Sequence, residues 1–186
     1  SATQIWSSLK FAIILTNTAT NNILLKQNMS ILDQLGIKHN TDKASRTRVR
    51  DLSIDVDKRP PGHNFLVRYE HFLQSLTHKA DLKMLELGAG PDWNIGASAQ
   101  MWADYFPNCK EIHIAEIRPA GLEIRTDRIH PRIGDISDPH FLDELGETQW
   151  DFILDDCSHR WDHQIIALAT LISSVNHGGI DRKSVV

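Results

Sequence analysis

Asp155 and Asp156 stand side by side at the end of an apolar run, Trp150 to Leu154, and His159 and His163 follow within the same short stretch. Carboxylates and imidazoles this close can move protons or hold a cation. A histidine with an ordinary pKa near 6.5 accepts a proton at neutral pH, whereas an isolated carboxylate is a weak base. If one aspartate faces a ligand, its neighbour is left to turn towards solvent or a metal. Three readings stand together at this point. The residues are helix caps, with Ser158 as the capping side chain, and surface histidines without further role; or a carboxylate and a histidine deprotonate a hydroxyl; or His159 and His163, four apart and on one face if both lie in a helix, form a zinc pair. In the second reading a hard cation such as magnesium on Asp156 lowers the pKa of a bound hydroxyl and His159 completes the deprotonation.

A second concentration lies at Leu82 to Gly90, LKMLELGAG. Apolar Met84, Leu85 and Leu87 stop at two glycines, as a buried parallel strand does when it feeds a tight turn under a nucleotide-like ligand. Glycine permits the turn and the close approach of backbone to ligand. A Gly-x-Gly also ends strands in proteins that bind nothing, so other strand ends must be weighed. Four apolar runs end in acids: Glu86 beside Gly88, Glu116, Asp135 after Gly134, and Asp155 with Asp156. Such a rim suits a ligand rich in donors, an adenosine with a cationic amino acid tail, and S-adenosylmethionine is the expected cofactor. Glu116 follows Gly90 by 26 residues, somewhat beyond the roughly 20 at which an acid reaches ribose hydroxyls. An NAD-dependent oxidoreductase is disfavoured because the turn lacks a full G-x-G-x-x-G.

The elements that must position these residues alternate. Strands are expected over Leu82–Leu87, Glu111–Glu116, Pro131–Gly134 and Trp150–Leu154, and helices over Ala97–Phe106, from Asp138–Pro139 through Leu145, and Trp161–Val175. This β-α repetition implies a mostly parallel, three-layer α/β sheet with right-handed crossovers. Upstream, Ser30 caps a short helix ended by Gly36; Asn64–Leu76 is amphipathic and packs on the sheet or over the ligand. Residues 1 to about 30, with Ile5, Leu9 and Ile13, read as a helical extension, and Arg46, Arg48 and Arg50 as a solvated basic loop. The expected division is an N-terminal extension and cap over 1–80 and a ligand-binding domain over 81–186.

The 186 residues carry 20 Lys+Arg against 24 Asp+Glu, a formal charge of -4, which gives no general affinity for nucleic acid. Phe11–Leu15 is far shorter than the roughly 20 residues of a membrane span. Two cysteines, Cys109 and Cys157, suit a reducing compartment, and the cytoplasm is the expected location. The expected partner is a small-molecule hydroxyl acceptor, and a homo-oligomer is compatible with the sequence. Gly178-Gly179 reads as the turn into a further strand that the remaining residues do not complete, so the chain is expected to be a fragment whose fourth strand is an exposed apolar edge.

ELGAG, SAQMWADYFPN (Ser98–Asn108), GDISDPHFLDEL (Gly134–Leu145) and WDFILDDCSH (Trp150–His159), with TDK at Thr41–Lys43 and the segment His63–Glu70 upstream, resemble the macrocin and mycinamicin type of S-adenosylmethionine-dependent O-methyltransferase. The resemblance covers about residues 39–179 and implies a Rossmann-like class I methyltransferase sheet and magnesium-assisted methyl transfer to a hydroxyl of a sugar or other natural product. It implies that Glu86, Gly88 and Gly90 line the cofactor, Glu116 holds the ribose and Asp135 sits near adenine. Asp155 joins the cofactor-binding set, Asp156 is the metal ligand and His159 the general base. Glu116 stands where aspartate is more usual and Cys157 where glycine is. The acidic pair that completes the family's metal site after the next strand has no counterpart here, which leaves a catalytically silent cofactor-binding or interaction module as the alternative.

Overall fold

The computed structural model describes residues 30–47 and 51–183. The expectations for residues 1–29 and for Arg48 and Arg50 lie outside the described residues. Five strands, β1 (Lys83–Leu87), β2 (Glu111–Glu116), β3 (Ile129–Ile133), β4 (Trp150–Asp155) and β5 (Val175–Lys183), form one parallel sheet in the order β3-β2-β1-β4-β5. The helices are α1 (Ile31–His39), α2 (Leu66–Leu73), α3 (Ala97–Tyr105), α4 (Pro139–Gly146) and α5 (Trp161–Leu171).

Alternation along each strand divides the core into two layers. Met84, Ile112, Ile114, Phe152 and Leu154 face α1, α2 and α3, where Trp102 lies edge-on to Phe152 with ring centroids 5.6 Å apart. Leu85, Leu87, Ala115 and Ile153 face α4 and α5 on the other side. The expected three-layer Rossmann-like sheet is therefore present, and residues 30–76 share the first of these cores with the strands.

Local signals set most helix ends. Ser30 Oγ accepts from the Asp33 amide at 3.0 Å, and Asp138, just before Pro139, accepts from the His140 amide at 3.0 Å. Gly36 does not end α1. It lies inside the helix because Leu66 packs where a side chain would stand: an added Cβ would come within 2.2 Å of Leu66 Cδ1. Asn40, in the left-handed conformation at φ 59°, closes the helix instead. The amphipathic segment after Asn64 forms α2 and a following 3-10 turn, Gln74–Leu76, and packs on the sheet through Tyr69 and Leu73.

The expected bare edge at β4 is corrected. β5 begins at Val175, ahead of the glycine pair, and joins β4 in parallel, with Phe152 opposite Ile180 and Leu154 opposite Arg182. The register shifts between Trp150 and Phe152, where the strand passes Gly178 at φ 81°. Backbone pairing with β4 thus makes a strand of a segment whose polar side chains show no alternation, and every side chain of β4 is buried. Among the described residues no helix is long and apolar enough to cross a membrane.

Candidate functional site

The chain leaves β1 towards β2 and β3 on one side of the sheet and returns to β4 and β5 on the other. The carboxyl ends of β1 and β4 therefore flank the switch point where ligands bind open α/β sheets. Gly88 and Gly90 form the turn there at φ 99° and 89°. A Cβ on Gly88 would stand 2.5 Å from the Asp156 carbonyl oxygen, so only a residue without a side chain lets the backbones leaving β1 and β4 come this close. Hydrogen bonds from the Gly88 amide to Ala115 O at 2.8 Å and from the Gly96 amide to Ala89 O at 2.7 Å fix the turn between β2 and the start of α3.

Glu116 ends β2 beside this turn. Its Oε2 accepts from the Ala89 amide at 3.0 Å, and the Arg118 guanidinium grips both oxygens, Nε on Oε1 and Nη2 on Oε2, each at 2.7 Å. Burial works against the charged carboxylate, but Arg118 and the two amides outweigh it and hold the carboxyl below its ordinary value. Arg118 also meets Asp92 and donates to Gly90 O at 2.5 Å, so it spans the glycine turn.

Glu86 points into the α1–α3 side of the core, fully buried, where Ser98 Oγ donates to Oε2 at 2.8 Å. Lys43 Nζ lies 3.1 Å from Oε1 and makes a second ion pair with Asp156 Oδ2. Burial opposes the Lys43 charge, but Glu86 and Asp156 more than offset it, and the ammonium stays protonated. Asp155 and Asp156 diverge as the strand period requires. Asp156 turns towards Lys43; Asp155 faces the α5 side, beside Leu87, Ile153 and Leu171. Asp135 is exposed after β3, and the Ser137 amide bonded to Oδ1 at 2.8 Å holds its carboxyl below its ordinary value.

His159 does not share a helix face with His163. It is exposed, lies ahead of the α5 N-cap residue Arg160, and takes a left-handed conformation at φ 55°. His163 is inside α5, with Nδ1 3.0 Å from Ser158 Oγ. Ser158 is therefore not the N-cap, although it touches the helix start. Among the described residues no group of three His, Cys, Asp or Glu side chains could hold a metal ion, which leaves the zinc pair without support.

Gly88, Gly90, Glu116 and Asp156 are thus gathered at one rim, while Glu86 braces it from within, Asp155 lies on the opposite face of the sheet, and Asp135 stands at the end of the outer strand. Two participants were not assigned roles from sequence: Lys43, whose signal was the TDK triplet, and Arg118, whose signal was its place two residues after Glu116. A narrow cleft between the glycine turn and the Asn40–Asp42 loop, walled also by Trp93 and Asn94, adjoins them.

No family model matches the chain. Over 123 residues it is 37% identical to the 8-demethyl-8-(2-methoxy-alpha-L-rhamnosyl)-tetracenomycin-C 3'-O-methyltransferase of Streptomyces olivaceus. Over 132 residues it is 29% identical to the mycinamicin VI 2''-O-methyltransferase of Micromonospora griseorubida. Each comparison covers 63% of this chain, and the chain spans about 30% of the length of the curated relatives it matches. In structure it is similar to the MycE methyltransferase from the mycinamycin biosynthetic pathway, solved in complex with Mg and SAH, at a TM-score of 0.67 and 24% identity over 84% of this chain and 39% of that one. The resemblance read from the motifs is accordingly to O-methyltransferases, and the fold is the Rossmann-like methyltransferase fold.

Proposed function

We propose that this chain forms the cofactor-binding part of an S-adenosylmethionine-dependent O-methyltransferase acting on a hydroxyl of a small molecule, a sugar of a natural product being the favoured acceptor. The observation that carries the reading is the rim at the switch point, where Gly88 and Gly90 turn at positive φ against the Asp156 backbone and Glu116 stands beside them. The donor set fits the cofactor: the glycine turn admits close backbone approach, and a carboxylate at the end of β2 can accept ribose hydroxyls. The names of the relatives support the reaction class, since one is a 3'-O-methyltransferase of a rhamnosyl-tetracenomycin-C and the other a 2''-O-methyltransferase of mycinamicin VI.

Bound S-adenosylmethionine supplies a methyl group on a sulfonium, which passes to a hydroxyl oxygen as the carbon–sulfur bond breaks and leaves its electron pair on sulfur. In this reading Gly88 and Gly90 receive the cofactor, Glu116 holds its ribose, Asp135 lies near adenine, and Glu86 and Asp155 support the turn from either face of the sheet. His159, exposed at the mouth of β4, takes the hydroxyl proton. Asp156 is the residue through which magnesium would join the site. The described residues do not fit a metal centre by themselves, because Asp156 meets Lys43 and no group of three candidate ligands is present among them. That same observation favours cofactor binding without turnover as the second reading.

Calorimetric titration with S-adenosylmethionine and with NAD tests the cofactor assignment: heat with the former alone is expected, and no heat with it defeats both readings. Transfer of a labelled methyl group to mycinamicin VI or another glycosylated acceptor, compared between the wild type and His159→Ala, separates them. The enzyme reading expects transfer that His159→Ala abolishes while cofactor affinity is nearly unchanged; binding without transfer leaves the silent module.

A further inference from the structure

A carboxylate has about four lone-pair sites on its two oxygens, and at Glu116 four donors fill them. Oε1 accepts from the Arg118 amide at 2.9 Å and from Arg118 Nε at 2.7 Å; Oε2 accepts from the Ala89 amide at 3.0 Å and from Arg118 Nη2 at 2.7 Å. The stem of Glu116 is held as well, because Gly121 lies so close that a Cβ there would stand 2.9 Å from Glu116 Cγ. Two of the four donors are main chain. The other two belong to a guanidinium on a side chain that is 33% exposed, against 4% for Glu116. A hydroxyl that is to reach this carboxylate must therefore take the place of the guanidinium.

The same guanidinium pairs with exposed Asp92 through Nη1 and donates from Nη2 to Gly90 O at 2.5 Å, so it straps the end of β2 to the glycine turn and to the 3-10 turn Asp92–Asn94. Neither turn needs the strap to keep its shape. The Gly88 and Gly96 amides, bonded to Ala115 O and Ala89 O, hold the first, and Asn94 Nδ2, which donates to His39 O and Asn40 O at 3.0 Å each, holds the second. Arg118 can let go into water while the rest stays.

We propose that Arg118 is a positioning residue that latches Glu116 in the free protein and yields to the vicinal diol of a ribose, which makes ligand binding an exchange of one pair of donors for another. The proposal rests on the reading of Glu116 as the residue that holds the cofactor ribose. A diol brings two O–H donors, as many as the guanidinium fork gives up, and the departing fork releases Gly90 O and Asp92 with it. A ligand without the diol brings nothing to replace the fork and binds with the latch closed. Arg118→Lys separates this from a structural role. Lysine keeps a positive charge beside Glu116, so the carboxylate stays ionised, but it is a point charge on a flexible stem and has no planar fork that fits both oxygens. A weaker latch should let the diol in more readily, whereas a merely loosened turn would weaken every ligand.

The test measures dissociation constants by calorimetry with the whole chain for S-adenosylhomocysteine and for its 2',3'-dideoxy analogue, in the wild type and in Arg118→Lys. Expected is S-adenosylhomocysteine binding that tightens about threefold in the variant, with the affinity of the dideoxy analogue unchanged. Unchanged or weaker binding of S-adenosylhomocysteine by a folded Arg118→Lys overturns the proposal, and so does equal tightening of both compounds, because the gain would then not pass through the diol. If Arg118→Lys does not fold, Asp92→Asn, which loosens the strap at its exposed end and leaves Glu116 untouched, decides: tighter binding confined to S-adenosylhomocysteine supports the latch, and wild-type affinity or a failure to fold overturns it. A wild type that binds neither compound removes the cofactor reading itself, and proteins that all bind the two compounds equally remove the ribose role of Glu116. A wild type that prefers the diol, with the preference unmoved in Arg118→Lys, removes only the latch.

Discussion

Arg118 clasps Glu116 at two points, Nε on Oε1 and Nη2 on Oε2, both at 2.7 Å. Charge-assisted pairs of this planar geometry are the strong ones, and in the proposed reading Glu116 also holds the ribose. Glu116→Gln keeps the shape but gives up the charge on which both Arg118 and ribose hydroxyls draw. A weakening of S-adenosylmethionine binding by about tenfold or more is expected, from a loss of roughly 1.5–3 kcal/mol per charged hydrogen bond. Equal affinity in the two proteins, at equal thermal stability, would show that Glu116 does not hold the ribose.

Gly88 and Gly90 should differ on substitution. Both have positive φ, but a Cβ at Gly88 meets the Asp156 carbonyl at 2.5 Å, whereas at Gly90 the nearest atom is Asn94 O at 3.7 Å. Gly90→Ala therefore costs backbone strain alone, on the order of 1–3 kcal/mol. Gly88→Ala adds a clash with main chain that cannot rotate away, and the larger loss is expected in urea unfolding. The reverse ranking would mean that β1 and β4 do not approach as described.

Asp151 should contribute to acid lability. It is buried at the start of β4, where Lys79 Nζ donates at 2.6 Å, the Lys83 amide at 3.0 Å and Asn176 Nδ2 at 2.6 Å. Burial opposes its charge, but these three donors outweigh burial and hold its carboxyl below the ordinary 3.8. A depressed folded-state pKa gives stability that is complete above the unfolded value and lost as pH falls through 3.8 towards the folded one. Asp151→Asn should cost about 1–3 kcal/mol at neutral pH and flatten the decline in unfolding free energy between about pH 5 and about pH 3. An undiminished decline would assign it to other carboxylates.

Both thiols should resist alkylation. Burial pushes Cys109 up to about 11, and burial together with Asp155 and Glu116 pushes Cys157 up to about 12. The thiolate is the nucleophile, so iodoacetamide at neutral pH should label the folded protein far more slowly than the urea-unfolded protein. Rapid labelling of Cys157 in the native state would contradict its described surroundings.

Trp161, Ile165, Leu168 and Ile172 recur along one side of α5 and the turn after it, and all are at least half exposed. Ile165→Lys together with Leu168→Glu should leave stability within about 0.5 kcal/mol, as surface changes do, and raise solubility in ammonium sulfate. A large loss of stability would show that these side chains are packed in solution.

The amino-acid sequence determined what nearest neighbours decide. Apolar runs of strand length, Ser30 and Asp138 at helix starts, and the glycines after Leu87 act through a few adjacent residues, and they are found where the pattern placed them except that β3 spans Ile129–Ile133 rather than Pro131–Gly134. The parallel direction of the strands followed from repetition of those units, whereas their order, β3-β2-β1-β4-β5, did not. Tertiary structure decided the rest. Gly36 lies within α1 because Leu66, distant in sequence, occupies the space beside it. β5 is a strand because β4 offers it a row of unpaired backbone groups, while its own residues, VNHGGIDRK, carry no alternating signal. Lys43 reaches Glu86 and Asp156, and Arg118 reaches Asp92 and Gly90, across separations that no local spacing encodes. A charge finds its partner only when the chain has folded enough to bring buried groups together, and the type of a lysine or arginine does not say which carboxylate that will be.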